Sequence, residues 1–432
     1  MSVRRINFSG NLKTDDSVLR REMRQFEGAQ ASAEKIDLSK VRLQRLGFFS
    51  DVKIDNARVP GTTDQVDLNV AVTEQPSGSI SASLGYSQNA GLVFGANVSQ
   101  SNFLGTGNRV SIGLNRSDVR DAYNVSFLNP YFTPEGISRG YNFYLRQTKL
   151  DDLNISNYST DSMGANISFS YPIDETETIS FSAGIDQTEI SLGVNPSEAV
   201  FNFTKDNGNS LMTYTTSAAW SRNTLNRGTF PTAGASQSVA LELGLPGSDV
   251  SFYKLTYNAQ RYFPVRHDWV GRGYARLGYG DALSGDSLPF YRNFFGGGFG
   301  SVRGFRDNSM GPRSQRLSLS NPAVLLPESE SIGGNVQVEG GVELIFPVPF
   351  IEDKSKIRTL AFFDVGNIFD TNSNSTSTTD FKPSISNLRY SVGVGLSWIT
   401  PIGPLTFAVA KPLNTKEGDD TQAFQFSLGQ GF

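Results

Sequence analysis

The run Val336-Gln-Val-Glu-Gly-Gly-Val-Glu-Leu-Ile-Phe346 alternates apolar residues with small or polar ones. A period of two predicts a β-strand with one apolar face and one small or polar face. The same alternation recurs from residue 79 to the end of the chain, most clearly over 79–86, 389–398 and 424–432. We count about sixteen segments of this kind, and most are near the ~9–11 residues that a tilted strand needs to cross a bilayer.

The connections between these segments differ in length in a regular way. Every long connection falls between an odd-numbered segment and the next even-numbered one, which places all of them on one side of the sheet. Short periplasmic turns and long extracellular loops are typical of outer-membrane barrels, and an even strand count lets the last strand close on the first. We therefore predict a mainly β chain in which residues 76–432 form a 16-stranded antiparallel transmembrane β-barrel. A soluble all-β sandwich is the alternative. The long connections are 149–161, 191–209, 281–332 and 371–387.

The longest connection, at about 281–332, contains the stretch FFGGGFGSVRGF, residues 294–305. Five glycines surround one cation, Arg303, and the flanking side chains are phenylalanines where a loop tip would ordinarily be polar. An apolar, glycine-rich loop indicates a segment that folds back and packs, in backbone conformations that favour glycine. We predict that this long extracellular loop contains no strand and lies inside the barrel lumen.

The first 75 residues follow a different pattern. They predict a strand at 3–8, helices at 17–26 and 34–46, and strands at 48–54 and 65–73. This β-α-α-β-β order is that of a small α+β domain with helices on one face of a three-stranded sheet. The basic residues of the two helices form either a solvated face or a docking face for partner proteins; they are Arg20, Arg21, Arg24, Lys40, Arg42 and Arg45.

The composition excludes several classes of function. With 0 Cys and 1 His, the chain offers no thiolate chemistry, no disulfide and no multi-histidine metal site. A formal net charge of −4 gives no basic footprint for nucleic acid. No Walker loop occurs, and the sequence predicts no nucleophile elbow of the Gly-x-Ser-x-Gly type. We predict no enzymatic activity, no metal and no cofactor.

Two groups of motifs carry a resemblance to a known family. Residues 18–28 and 45–49 resemble a POTRA domain, and the rest of the chain resembles the BamA family of outer-membrane protein assembly factors. Members of that family carry several POTRA domains, so the resemblance implies that residues 1–75 are the last one, next to the barrel. The stretches that carry the likeness in the barrel are 102–107, 129–132, 227–232, 289–291, 302–305, 311–312, 343–347 and 363–366.

The resemblance implies a tether for the long loop. In this reading Val302, Arg303, Gly304 and Phe305 form the tether motif, and Arg303 lies inside the barrel against Glu343 and Asp364. The alternation over 336–346 independently places Glu343 on the lumen face. The direction of Asp364 rests on the resemblance, because the segment around it alternates poorly. A planar guanidinium suits two carboxylates because it accepts bidentate pairing.

The resemblance also implies a lateral gate between the first and last barrel strands. Glycine weakens a strand and permits a kink, and Gly429 and Gly431 are expected to face the lumen from a last strand at 423–432. A weakly paired seam would let a client strand add to the first strand by β-augmentation. The gate residues are Ile80, Ala82 and Leu84 on the first strand and Phe424, Phe426, Leu428, Gly429, Gly431 and Phe432 on the last.

The function implied is that of an outer-membrane insertase that folds and inserts β-barrel proteins. Its expected partners are unfolded outer-membrane proteins, accessory lipoproteins that dock on the POTRA domain, periplasmic chaperones and outer-membrane lipid. The expected location is the outer membrane of a Gram-negative cell, with the POTRA domain in the periplasm. The alternatives are a two-partner-type secretion transporter of the same superfamily and a passive porin.

Overall fold

The computed structural model describes residues 1–88, 90–149, 157–266, 268–284, 287–318, 320–348, 356–372, 382–400, 403–416 and 418–429. The chain divides into two compact units. The first contains residues 1–81, 97–113 and 125–142, and the second contains residues 82–96, 114–124 and 143–432.

The N-terminal domain has the predicted β-α-α-β-β order. Its elements are β1 (Ser2–Ser9), α1 (Asp16–Glu22), α2 (Ala33–Arg45), β2 (Phe49–Arg58) and β3 (Gln65–Glu74). The sheet order is β1-β3-β2, with β1 parallel and β2 antiparallel to the central strand. Leu19 and Leu43 from the helices are fully buried against Leu68 of β3. Since the domain buries its own apolar cluster, this α+β module has a core independent of the barrel.

Within the first unit, two turns of the barrel contact the N-terminal domain. The Asn102 side chain donates a 2.8 Å hydrogen bond to Thr14 Oγ1. Arg21 lies over the Tyr131 ring at 4.5 Å from its centroid, and Arg42 donates to the Tyr131 hydroxyl at 3.0 Å. The basic face of the two helices is therefore only partly solvated, because these two arginines are held at one tyrosine.

Sixteen strands form a closed antiparallel barrel, as predicted. The strands follow one another around the barrel in chain order, and the last, β21, lies next to the first, β4. The barrel strands are β4 (Gly78–Ser87), β5 (Gly91–Phe103), β6 (Asn108–Arg116), β7 (Arg120–Asn129), β8 (Ser138–Lys149), β9 (Tyr158–Pro172), β10 (Glu177–Leu192), β11 (Ser210–Asn223), β12 (Gly234–Gly244), β13 (Ser251–Arg266), β14 (Trp269–Ser284), β17 (Val336–Phe346), β18 (Ile357–Phe369), β19 (Arg389–Thr400), β20 (Gly403–Pro412) and β21 (Phe424–Leu428).

The two faces of the barrel wall differ as the alternation predicts. On β17, Val342 is 59% exposed on the outer face, whereas its neighbour Glu343 is 6% exposed and points inward. Large apolar side chains are also exposed on distant strands, among them Phe181 and Val394. An apolar outer band with a polar interior is the arrangement of a transmembrane β-barrel. No helix within the described residues has the length and apolar character of a membrane-spanning helix.

Two of the long connections contain secondary structure that the sequence did not predict. The connection after β10 forms a helix, α3 (Glu198–Asn207). The expectation that the longest loop contains no strand is wrong, because it forms a hairpin of β15 (Arg313–Ser318) and β16 (Asn321–Ser331). The strand before this loop also continues to Ser284, beyond the predicted loop start at 281.

Within the described residues, the last strand is shorter than expected. It was predicted over 423–432, but β21 ends at Leu428, and Gly429 follows with a φ of +79°. That left-handed backbone favours glycine and turns the chain out of the strand, so Gly429 is not a lumen-facing strand residue. Gly431 and Phe432 lie outside the described residues.

Candidate functional site

The loop between β14 and β17 is a packed structure of its own. Phe294 exchanges backbone hydrogen bonds with Gly334 at 2.8 and 3.0 Å, and the Gly298 N–H donates to the Phe305 carbonyl at 2.9 Å. Gly304 has a φ of +93°, and a Cβ on it would lie 3.1 Å from the Ala410 side chain on the barrel wall. A side chain at this position would therefore be strained and would press on the wall, so glycine lets the loop lie close to it.

Arg303 is fixed to Asp364 by a bidentate ion pair. Its Nε donates to Asp364 Oδ2 and its Nη2 to Asp364 Oδ1, both at 2.7 Å. The Arg303 backbone N–H also donates to Oδ2 at 3.2 Å. Arg303 is 7% exposed and Asp364 is fully buried. Charge-assisted, bidentate hydrogen bonds of this kind are among the strongest that side chains make.

Glu343 completes the charge balance of this buried site. Its Oε1 lies 2.8 Å from Arg303 Nη2, and its Oε2 accepts from Arg272 Nη1 at 2.9 Å. The Arg303 guanidinium also lies 3.6 Å from the centroid of the Phe362 ring. Two arginines thus face two carboxylates, which leaves no unbalanced charge among these four groups. A buried network that is balanced in this way is stable, but removal of one member leaves a costly buried charge.

Register explains how the strands bring these groups together. Asp364 on β18 lies directly opposite Gly341 on β17, two residues before Glu343, so both carboxylates share the inner face. A Cβ on Gly341 would lie 2.8 Å from Asp364 Oδ1 and 2.7 Å from the Tyr274 ring. The absence of a side chain there lets the Tyr274 hydroxyl donate to Asp364 at 2.9 Å.

The remaining tether residues are buried beside Arg303. Val302 is 1% exposed and Phe305 is fully buried, and both pack against Met310 in one apolar cluster. Because the apolar side chains of the motif are buried on the inner side of the loop, they exclude water around the ion pairs, which strengthens them.

A second arginine of the same loop contacts a different part of the wall, and the sequence analysis missed it. Arg292 Nη2 lies 3.2 Å from Asp186 on β10, and its Nη1 lies 3.4 Å from Glu242 on β12. The Tyr144 hydroxyl donates to Asp186 at 2.5 Å, and Lys254 donates to the Arg292 carbonyl at 2.6 Å. The sequence signal that could have predicted this contact is the pair Asp186 and Glu242, two acids at inward positions of alternate strands.

Within the part of the chain that the structure describes, the seam between the first and last strands is short. Two register pairs join them, Ser427 with Ser87 and Leu428 with Tyr86. The neighbouring β20 pairs with β21 at five positions. The described pairing therefore involves β4 residues that follow the predicted gate residues Ile80, Ala82 and Leu84. On β21, Phe424 is exposed, Phe426 stacks on Tyr86 at 5.7 Å between ring centroids, and Leu428 pairs across the seam.

The described part of the chain contains no group of three His, Cys, Asp or Glu side chains arranged for a metal ion. The acids of the lumen instead face arginines, so the site is built from paired charges. Such an arrangement can hold a loop against a wall.

Comparisons with known proteins match this architecture. A family model of the Omp85 superfamily domain matches residues 102–432, and a POTRA model, described as a surface antigen variable number repeat, matches residues 1–75. The chain is 34% identical over 460 residues to the outer membrane protein assembly factor BamA of Neisseria meningitidis, covering 100% of this chain and 56% of the relative. It spans about half the length of the first BamA relatives that it matches.

Solved structures agree with this assignment. The crystal structure of BamA from Haemophilus ducreyi lacking POTRA domains 1–3 matches with a TM-score of 0.88 and 34% identity, over 99% of this chain and 84% of that one. CdiB from Escherichia coli matches with a TM-score of 0.64 over 99% of this chain and 76% of that one, but at 15% identity this shows the fold alone. The resemblance to the BamA family is confirmed, and the chain belongs to the Omp85 superfamily.

Proposed function

We propose that this chain is the POTRA-and-barrel part of an outer-membrane assembly factor, which folds β-barrel proteins and inserts them into the outer membrane. Its location is the outer membrane, with the POTRA domain in the periplasm. Relatives that carry the name outer membrane protein assembly factor align with the whole chain. The proposed partners are unfolded outer-membrane proteins, with accessory lipoproteins and chaperones at the POTRA domain. No catalytic chemistry is needed for this function, because folding of the client is itself downhill.

The observation that carries the proposal is the short seam. A backbone hydrogen bond stabilises a folded protein by about 1 kcal/mol net, and an unpaired backbone group in lipid costs several kcal/mol. A seam with two register pairs among the described residues therefore separates more readily than the longer ladders and exposes donors and acceptors that a client strand can satisfy. In this proposal the buried tether of Arg303, Glu343 and Asp364 keeps the loop and the adjoining wall in place while the seam opens.

The test uses liposomes that contain the protein and an unfolded eight-stranded outer-membrane barrel as client. We expect the client to fold several times faster than in empty liposomes. Cysteines replacing Ser87 and Ser427, which lie opposite each other, should abolish this gain when oxidised, because the seam can no longer open. Cysteines replacing Ala240 and Thr256, an opposed pair within a long ladder, are the control and should leave it unchanged.

The secretion-transporter alternative makes a different prediction. A transporter would export an unfolded partner through its pore and would leave the client barrel folding at the rate of empty liposomes. That result, or full activity of a completely crosslinked seam, would contradict the assembly function.

A further inference from the structure

Beyond its last backbone pair, the seam continues through one side chain. Ser87 is the final residue of β4, and Gln88 follows it. Gln88 Oε1 accepts a hydrogen bond from the Phe426 backbone N–H at 3.2 Å and a second from Gln422 Nε2 at 3.0 Å. A side-chain carbonyl thus occupies the place that a backbone carbonyl of the first strand would fill if the ladder were one step longer.

The orientation of the two amides follows from the backbone donor. An N–H must meet an oxygen, so the Phe426 N–H fixes which atom of Gln88 is Oε1. That oxygen can only face a donor, so Gln422 must present its Nε2, and its own Oε1 is directed elsewhere. Among the described residues Gln422 Oε1 has no hydrogen-bond partner although it is buried. The contact with Gln88 is therefore a fixed arrangement that leaves one buried acceptor unsatisfied.

The residues that lead into β21 also bind to the long loop that contains Arg303. The Gln422 N–H donates to the Gly304 carbonyl at 2.8 Å, and Gln425 Nε2 donates to the Phe305 carbonyl at 2.9 Å. Arg306 N–H also donates to the Asp420 carbonyl at 2.9 Å. The segment that leads into β21 therefore lies between the loop anchored by Arg303 and the end of the first strand, and Gln88 makes the contact on the first-strand side.

Unsatisfied acceptors accompany this segment. Within the described residues, Gln425 Oε1 and Ser427 Oγ are buried and lack a hydrogen-bond partner, as does Gln422 Oε1. A buried acceptor without a partner destabilises the arrangement that buries it. The closed seam is thus less stable than its hydrogen bonds alone indicate, and the loss of a few hydrogen bonds is enough to open it.

We propose that Gln88 is a side-chain latch on the seam, a positioning residue that holds the last strand closed and releases it by rotation of one side chain. This inference rests on the proposed assembly function, because release matters only if the seam opens. When Gln88 turns away, the Phe426 N–H becomes free. The group that replaces Gln88 Oε1 is a backbone carbonyl of an incoming β-strand, which makes the same hydrogen bond as part of a new ladder.

The test compares amide hydrogen exchange of the segment 422–429 in the full chain in liposomes, without client. Gln88→Leu has nearly the same shape but cannot accept a hydrogen bond, so we expect exchange to be roughly tenfold faster, the effect of losing two hydrogen bonds. Gln88→Glu keeps the accepting oxygen and should stay within about twofold of the wild type. Gln237→Leu, the same change on β12 away from the seam, is the matched control and should have no effect.

Exchange at the wild-type rate in Gln88→Leu would overturn the latch, and so would equally fast exchange in Gln88→Glu. If Gln88→Leu does not fold, Gln422→Leu removes one of the two contacts and should speed exchange by roughly threefold; an unchanged rate would again overturn the latch. The assembly function is measured separately through client folding in the same liposomes. Client folding that is no faster than in empty liposomes refutes the assembly function. The latch is decided separately, by the ratio of the exchange rates of the variants and the wild type.

Discussion

Replacing Arg303 with alanine removes a side chain that contacts both Asp364 and Glu343 in the buried site described above. Asp364 is fully buried and loses both of its 2.7 Å contacts, while Glu343 keeps Arg272 at 2.9 Å. Breaking a buried pair costs about 3–5 kcal/mol because an uncompensated charge remains. The contact with the Phe362 ring adds about 1 kcal/mol. We therefore expect the free energy of unfolding to fall by about 4–6 kcal/mol. The measurement is a urea titration of the full chain in lipid vesicles, followed by tryptophan fluorescence.

A double-mutant cycle shows whether the loss belongs to the pair. Asp364→Ala should cost a similar amount, and the double variant should lose far less than the sum, with a coupling energy of about 2–3 kcal/mol. Arg306→Ala is the matched control, since this arginine of the same loop pairs with Asp420 while half exposed, and it should cost less than about 1 kcal/mol. Single losses that simply add, or an Arg306 variant as unstable as the Arg303 variant, would refute the reasoning.

Three further predictions concern other contacts. Gly341→Ala should destabilise the barrel by about 1–3 kcal/mol in the same titration, because the added methyl group would press on Asp364. Gly273→Ala, at a position with open space around it, is the control and should leave the stability unchanged. Equal effects of the two substitutions would contradict this prediction. Arg292→Ala should lower the free energy of unfolding by about 2 kcal/mol, and Arg292→Lys should lower it less. An alanine variant as stable as the wild type would show that the contacts of Arg292 with the wall do not stabilise the barrel. The Ile6 N–H, which donates to Glu27 at 2.8 Å, lowers the pKa of Glu27 from 4.5. The ionised carboxylate therefore stabilises the folded domain above the unfolded pKa and ceases to do so as the pH falls through the folded value. In the 1–75 fragment Glu27→Gln should be less stable than the wild type by about 0.5 kcal/mol at pH 7, since the pair is largely exposed. The difference should shrink as the pH falls through the lowered pKa of Glu27, and a difference that stays constant with pH would contradict the assignment.

The alternation in the sequence was sufficient for the barrel and for Glu343 but not for Asp364. On β18, Leu360 and Phe362 point inward and pack with Phe299 of the loop in one buried cluster. The loop fills the lumen at this height, so inward positions are apolar as well as outward ones, and the period of two is lost. The sequence of a strand that faces a packed loop therefore does not show which side chains point inward. The register with β17 shows that Asp364 does.

The helix and hairpin in the long loops were missed for a related reason. Ala199 of α3 donates its N–H to Ser314 Oγ at 3.2 Å, and Leu317 of the hairpin donates to the Pro196 carbonyl at 2.9 Å. Each element is thus held by contacts with a segment more than a hundred residues away. Short helices and isolated hairpins are marginal on their own, so local sequence carries little signal for either, and their existence depends on the partner loop.

The last strand combines weak pairing on one edge with firm attachment elsewhere. Among the described residues, its edge towards β20 has five register pairs and its edge towards β4 has two. Each pair that separates loses a backbone hydrogen bond, so the β4 edge, with the fewer described pairs, is the edge of β21 that opens more readily. The loop meanwhile holds the strand through Gln425, which donates to the Phe305 carbonyl. In the proposed function, opening at the seam frees the edge of β4 and the Phe426 N–H of β21 while β21 stays with β20. A client strand that enters there would pair with β4 on one edge and meet β21 on the other.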